Sequence, residues 1–208
     1  LAFLPGLLAG QSLLGIQGLG FPLEPLDARA RGLGSVGTGL RGSYLLPGDP
    51  AAAVGMLFPS LEMTFQSQWG DGTLDGEEVS STGTRFPLLV MGYPLARVGG
   101  TVTLTIGSFM DQRWVMRRQG TADLEGTATP VTDEFRSDGG ISVIRLGWAQ
   151  RVGDRLALGA AVGSYAGSVA RVFTRTFDSL AVSAGVPPFQ EGGEWGYSGL
   201  SASIGARW

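Results

Sequence analysis

The side chains in this sequence that could do chemistry are carboxylates and guanidinium groups, and little else. Histidine and cysteine are both absent, and every one of the 15 basic residues is arginine. That removes the common zinc and haem ligands, disulfides, cysteine nucleophiles and histidine-based triads. Glu62, Asp111, Arg113, Arg145 and Arg151 fall inside segments where apolar and polar residues alternate. On the polar side of such a segment they could line a pore or grip a ligand carboxylate, because one guanidinium offers two parallel hydrogen bonds. Arg145 sits mid-segment, where a charge needs a partner or water, and Glu62 or Asp111 could pair with it across an interior. Arg171 and Arg175 extend the set. The plainer reading, which we favour, is a group of interior ion pairs that fill and stiffen the fold. No spacing pairs a nucleophile with a base, so no catalytic residue, cofactor or resident metal is expected. Asp71, Asp75, Glu77 and Glu78 crowd one stretch without the regular spacing of a calcium loop, and read as a solvated acidic loop.

Composition narrows the class of chain that carries these groups. Charged residues are 16% of the sequence, against roughly 25% in ordinary soluble domains. Glycine fills 35 of 208 positions, about 17% where about 7% is usual, and mean hydropathy is +0.17. Disordered chains have the opposite balance of charge and hydrophobicity, and the glycines keep no collagen-like period. A net charge of −3 and an isoelectric point near 5.0 give no basic field for nucleic acid.

The elements that must position the charges have a period of two. Leu61, Met63, Phe65 and Trp69 alternate with Glu62, Thr64, Gln66 and Gln68. Val102, Leu104, Ile106, Met110 and Trp114 alternate with Thr101, Thr103, Thr105, Asp111 and Arg113. Ile144, Leu146 and Trp148 alternate with Val143, Arg145 and Arg151; Leu158 and Val162 with small residues; Leu200, Ala202, Ile204, Ala206 and Trp208 with Ser201, Ser203 and Arg207. Such alternation predicts strands with one apolar and one polar face. The strands are placed at about 60–69, 85–95, 100–116, 140–152, 155–176 and 195–208. The face of 85–95 cannot be read, since it is apolar on both sides and carries Pro87 and Pro94. Short links at 96–100 and 152–155 alternate with long polar ones at 70–84, 119–139 and 178–194, as the turns and loops of an up-and-down membrane barrel do. Aromatics collect near strand ends, as interfacial belts would require. Trp195 and Tyr197 have the opposite parity to Leu200, which predicts a bulge or a loop position there.

The first charge is Glu24, and residues 1–10 read as the remnant of a secretory signal whose start is clipped. Residues 11–58 read as a plug-like segment within or beneath a barrel whose strands occupy 59–208. Within it, ARGLGSVGTG at 30–39 and DPAAA at 49–53 resemble the glycine-rich segment and the D-P-x-A step that precede the first barrel strand in FadL-type outer-membrane transporters and their PorV-like relatives. The Asn-Pro-Ala that usually follows in that family is replaced by Val54, Gly55 and Met56. The resemblance implies a barrel of more strands than this chain holds, with an N-terminal plug, moving hydrophobic compounds; it assigns no ligand contact.

The expected fold is therefore all-β: an antiparallel up-and-down transmembrane β-barrel, or part of one, with a glycine-rich plug-like segment. Closed barrels start at about eight strands, so six favour a fragment. The expected surroundings are the bacterial outer membrane, with lipid bilayer and lipopolysaccharide as partners and no nucleic acid. The expected role is a channel or transporter for hydrophobic small molecules such as fatty acids. The alternative is a non-transporting barrel acting as a structural or secretion-complex anchor. Lipid should meet Leu61, Met63, Phe65, Val102, Leu104, Ile106, Ile144, Leu146, Leu158, Val162 and Ile204. Leu104→Arg should then cost about 2–4 kcal/mol near mid-membrane, and Thr103→Arg, facing inward, much less.

Overall fold

A computed structural model describes residues 21–22, 26–34, 45–74, 77–124, 126–177, 185 and 187–208, with side chains outside 21–22, 68–74 and 77–85. The signal-remnant assignment, much of the plug-like segment, the Trp69 side chain and the side chains of the acidic stretch at 71–78 lie outside what is described. The elements run β1 (Phe21–Pro22), α1 (Ala28–Gly32), a 3-10 turn (Pro50–Ala53), β2 (Ser60–Leu74), β3 (Glu77–Leu95), β4 (Gly100–Asp111), β5 (Trp114–Leu124), β6 (Thr127–Val152), β7 (Leu156–Phe177) and β8 (Phe189–Arg207). Among the described residues no helix is long and apolar enough to cross a membrane.

All pairings are antiparallel, and the long strands follow one another across a single sheet in the order β2-β3-β4-β6-β7-β8. β5 pairs with the first half of β6 and continues the line of β4, so the sheet is an up-and-down meander. β2 and β8 are its outer strands and do not pair with each other, which leaves the sheet open among the described residues.

Each of the six expected stretches carries strand, but 100–116 is broken at Gln112 and Arg113 into β4 and β5, and most of the others are longer than the alternation predicts. Two stretches expected as long loops are largely ladder: β2 and β3 pair as far as Leu74 with Glu77, and β5 and β6 as far as Leu124 with Thr127. The second hairpin turns at Gly126, whose φ of 85° suits glycine. β6 reaches 26 residues, about 80 Å at strand rise, where a membrane strand needs about 9–11 residues.

Two irregularities re-phase the alternation. Between Thr64 and Gln66 the partner on β3 advances from Leu88 to Arg85. The extra residue lies at Phe86–Pro87, so Pro87 occupies a bulge, where a missing amide hydrogen is tolerated. On β4 the register shifts between Ser108 and Met110. No shift interrupts β7 with β8, where Val169 pairs with Trp195 and Gly167 with Tyr197. The bulge expected at Trp195 is absent: both aromatics share the register positions of Gly199 and Ser201 and not those of Leu200.

The two faces of the sheet differ sharply. One carries Leu61, Met63, Phe65, Met91, Ile106, Ile144, Leu146, Val162, Leu200 and Ile204, all exposed, with Leu61 at 69%, Val162 at 62% and Ile204 at 89%. The other carries Thr64, Leu88, Val90, Thr101, Thr105, Val143, Ala149 and Ala161, all buried. Residues 26–33 and 45–56 lie on that second face. Leu45 and Ala53 pack with Leu88, Val90 and Ala149, flanked by Val54 and Met56. Leu26, Ala30, Leu46 and Ala52 form a second cluster. Leaving water there stabilises the fold by about 1.5–3 kcal/mol for each large side chain. The 3-10 turn sits so close to β7 and β8 that a Cβ at Gly159 would collide with the main chain of Pro50, and one at Gly205 would lie 2.7 Å from Asp49 Oδ1.

Candidate functional site

The covered face can be followed in rows, because each ladder pair fixes the next. Glu62 pairs with Val90, Val90 with Thr105, Thr105 with Arg145, Arg145 with Gly163 and Gly163 with Ser201. Glu62 and Arg145 thus share one row, but two strands separate theirs, so roughly 14 Å lies between them at normal strand spacing. They do not form the ion pair expected from sequence.

Arg145 takes its partners from elsewhere. Its Nη1 donates to the carbonyl of Pro47 at 3.3 Å and its Nη2 to the Tyr165 hydroxyl at 2.9 Å. The guanidinium carbon stands 6.0 Å from the Tyr165 ring centre, and that ring packs on Phe109 at 4.7 Å. A half-buried cation is held by an oxygen of the N-terminal segment, a phenol and a ring face, which suits its need for compensation. Glu62 lies beside Asp27, the N-cap of α1. Arg31 of α1 donates to Gln66 Oε1 at 3.3 Å. At the other margin, Arg207 Nε meets Asp49 Oδ2 at 2.7 Å, while Asp49 Oδ1 caps the 3-10 turn by accepting from Ala51 N at 2.9 Å. The N-terminal segment is therefore tied to β2 through α1 and to β8 through Asp49. Between it and the sheet, beside Arg145, Thr103 and Pro47, remains a cavity of about 10 Å³, room for about one water.

Asp111 and Arg113 are placed differently. Beyond the shift at Phe109, Met110 pairs with Ile141 and Asp111 with Gly140. The alternation of β4 inverts there, so Asp111 takes the register of the even-numbered β6 residues, the side of Ile144 and Leu146. It binds Arg113 locally, accepting from its backbone N at 3.0 Å and from its side chain at 3.1 Å. Arg151 is exposed at the end of β6. The five charges picked from the sequence do not converge on one site.

A second group of side chains lies on the extension of β5 to β8, about 40 Å along β6 from Arg145 at strand rise. Asp133 and Arg175 are direct cross-strand partners joined at 2.6 and 2.8 Å. The bonds from Arg175 hold the Asp133 carboxyl below the usual carboxylate range. Phe135 meets Phe173 at 4.8 Å, Phe173 meets Phe189 at 6.1 Å, and the Arg175 guanidinium lies 5.7 Å from the Phe173 ring centre. Arg171 stands over Trp195 at 5.9 Å and donates to Gln112 Oε1 at 3.3 Å. Trp114, Phe135, Phe173, Trp195 and Arg171 border an open hollow of about 400 Å³ floored by Gly192 and Gly193. Flat or ring-shaped groups stack on such rings. Of this second group the sequence reading places Arg171 and Arg175 on an inner face; Tyr165, Pro47, Asp27, Asp49 and Gln112 are not among its candidates. Only Asp49 carried a signal, through the Asp-Pro step.

Among the described residues no three acidic side chains gather as a metal site would need. Compared with family models, with curated proteins and with solved structures, the chain matches none.

Proposed function

We propose that this chain forms the wall of a β-barrel in a bacterial outer membrane and serves the passage of hydrophobic small molecules such as fatty acids. One observation carries the membrane reading: a six-strand-wide face of Leu, Ile, Met, Phe and Val stands exposed, while the N-terminal segment covers the opposite face. Water-soluble monomers rarely leave so large an apolar surface uncovered, and an antiparallel meander with alternating faces suits hydrocarbon on one side. Passage of solutes rests on the resemblance of residues 30–39 and 49–53 to FadL-type transporters, which is an analogy of fold and segment.

The anchoring role is the second reading, and the tight fit of the N-terminal segment favours it. Arg145, Asp49 and the 3-10 turn leave room for about one water beneath that segment, so a solute has to pass elsewhere or displace it. Full-length protein mixed with phosphatidylglycerol–phosphatidylcholine vesicles tests both levels. Co-flotation with the vesicles and uptake of a fluorescent fatty acid are expected for a transporter. Co-flotation without uptake selects the anchor. Failure to float overturns the membrane reading.

A further inference from the structure

The exposed apolar face carries a hollow. Near the short-turn end, Trp148 of β6, Ala160 of β7 and Ile204 of β8 stand in one row, and Gln150, Leu158 and Ala206 in the next. The two alanines leave a groove of about 480 Å³ between the bulkier neighbours. Trp148 forms its wall by lying across Gly100, where any Cβ would strike the indole. The ring is pinned there, because its Nε1 donates to Gln150 Oε1 at 3.3 Å while Gln150 Nε2 donates to the carbonyl of Val98 at 3.4 Å. The second bond also holds the 95–99 turn against the end of β6. Arg97 of that turn and Arg155 of the next turn stand at this same end of the sheet, where Gly100 pairs with Gln150 and Val152 with Leu156, and both are exposed, with Asp154 the acidic residue beside them; Arg151 shares the register of Arg207 and belongs to the covered face. A greasy trough thus ends beside two turns that carry two guanidinium groups and one carboxylate.

We propose that this groove holds an acyl chain of an anionic glycerophospholipid whose phosphate rests on the arginines of the two turns. The inference builds on the membrane reading, since the groove is continuous with the face assigned to hydrocarbon. The charge at its end selects the occupant: a zwitterionic lipid gains less from the two turn arginines than one with a net negative head, by roughly fivefold per arginine. Short turns face the periplasm in outer-membrane barrels, so the lipid belongs to the inner leaflet.

The test uses the full chain reconstituted in vesicles of equal parts phosphatidylglycerol and phosphatidylcholine with matched chains. Native mass spectrometry after extraction counts the lipids retained. Several-fold enrichment of phosphatidylglycerol is expected. The double variant R97Q/R155Q should retain both lipids equally, and Ala160→Trp, which fills an exposed groove without touching the packed face, should retain fewer of either kind. Equal retention of the two lipids by the unaltered protein, or unchanged retention in Ala160→Trp, overturns the proposal. Protein absent from the vesicles altogether overturns the membrane reading instead, and is recognised before any lipid is counted.

Discussion

Asp49 and Arg207 lie 158 positions apart and meet at 2.7 Å, tying the N-terminal segment to the last strand. The same carboxylate caps the 3-10 turn, so one side chain both shapes the turn and docks it. Asp49→Ala removes both roles at a largely buried site. It should lower stability by about 2–4 kcal/mol, whereas Asp49→Asn, which keeps the cap, should lose less. Denaturation midpoints in detergent micelles measure the difference, and limited proteolysis should release the segment before it cuts the sheet.

The close approach of Pro50 to β7 makes Gly159 a sensitive position. Gly159→Val should push the segment off the sheet and expose residues 45–56 to protease. Ala160→Val, one residue along and pointing the other way, should leave the digestion pattern unchanged. Similar patterns for the two variants would mean that the segment is not seated as described.

The exposed face separates a bilayer from water as its surroundings. Ile144 is 53% exposed in mid-strand. Ile144→Arg should destabilise the protein folded in vesicles by about 2–4 kcal/mol. On a face turned to water the same change should stay within about 0.5 kcal/mol. The matching expectation for Thr103 has to be revised. Thr103 borders the cavity of about 10 Å³ beneath the N-terminal segment, so Thr103→Arg overpacks a filled space and should also destabilise, by roughly 1–3 kcal/mol.

The Asp133–Arg175 pair gives the extension a defined acid response. Because the bonds from Arg175 depress the carboxyl in the folded state, its contribution is present above the unfolded value near pH 4 and fades as pH falls through the lower folded value. Hydrogen-exchange protection of β6 around Asp133 and β7 around Arg175 should be flat from pH 5 to 8 and weaken only in stronger acid. Asp133→Asn should abolish that acid limb. A change centred near neutrality would point to another group.

What could be read from the sequence follows from how differently the two faces are built. Where one side is Leu, Ile or Val and the other Thr, Ser, Gly or Arg, as at 101–106, 143–149 and 200–206, strand and facing were both legible. β3 defeats that reading because Leu88 and Val90 are apolar on the covered side, where they pack on Leu45, and because the bulge at Pro87 slips the phase. The extension of β5 and β6 defeats it for the opposite reason: Arg117 bonds Glu134 on one side and Arg175 bonds Asp133 on the other, so both faces are polar and resemble loop. The charged residues were legible as inward or outward only while the period held, and the shift at Phe109 inverted it for Asp111 and Arg113. The partners of Arg145 come from residue 47 and from the adjacent strand, contacts that no local pattern encodes.

The open margins of the sheet carry a consequence of their own. Along β2 and β8 about half of the amide and carbonyl groups point sideways with no neighbouring strand among the described residues. In aqueous buffer such rims are sticky but hydrated; in oil every bare peptide group is penalised by several kcal/mol. A sheet with this greasy exterior therefore cannot rest in a bilayer as a lone curved tile. In a bilayer its rims would have to be sealed by other main chain, and that sealing, more than anything on either face, would set the diameter of a closed wall.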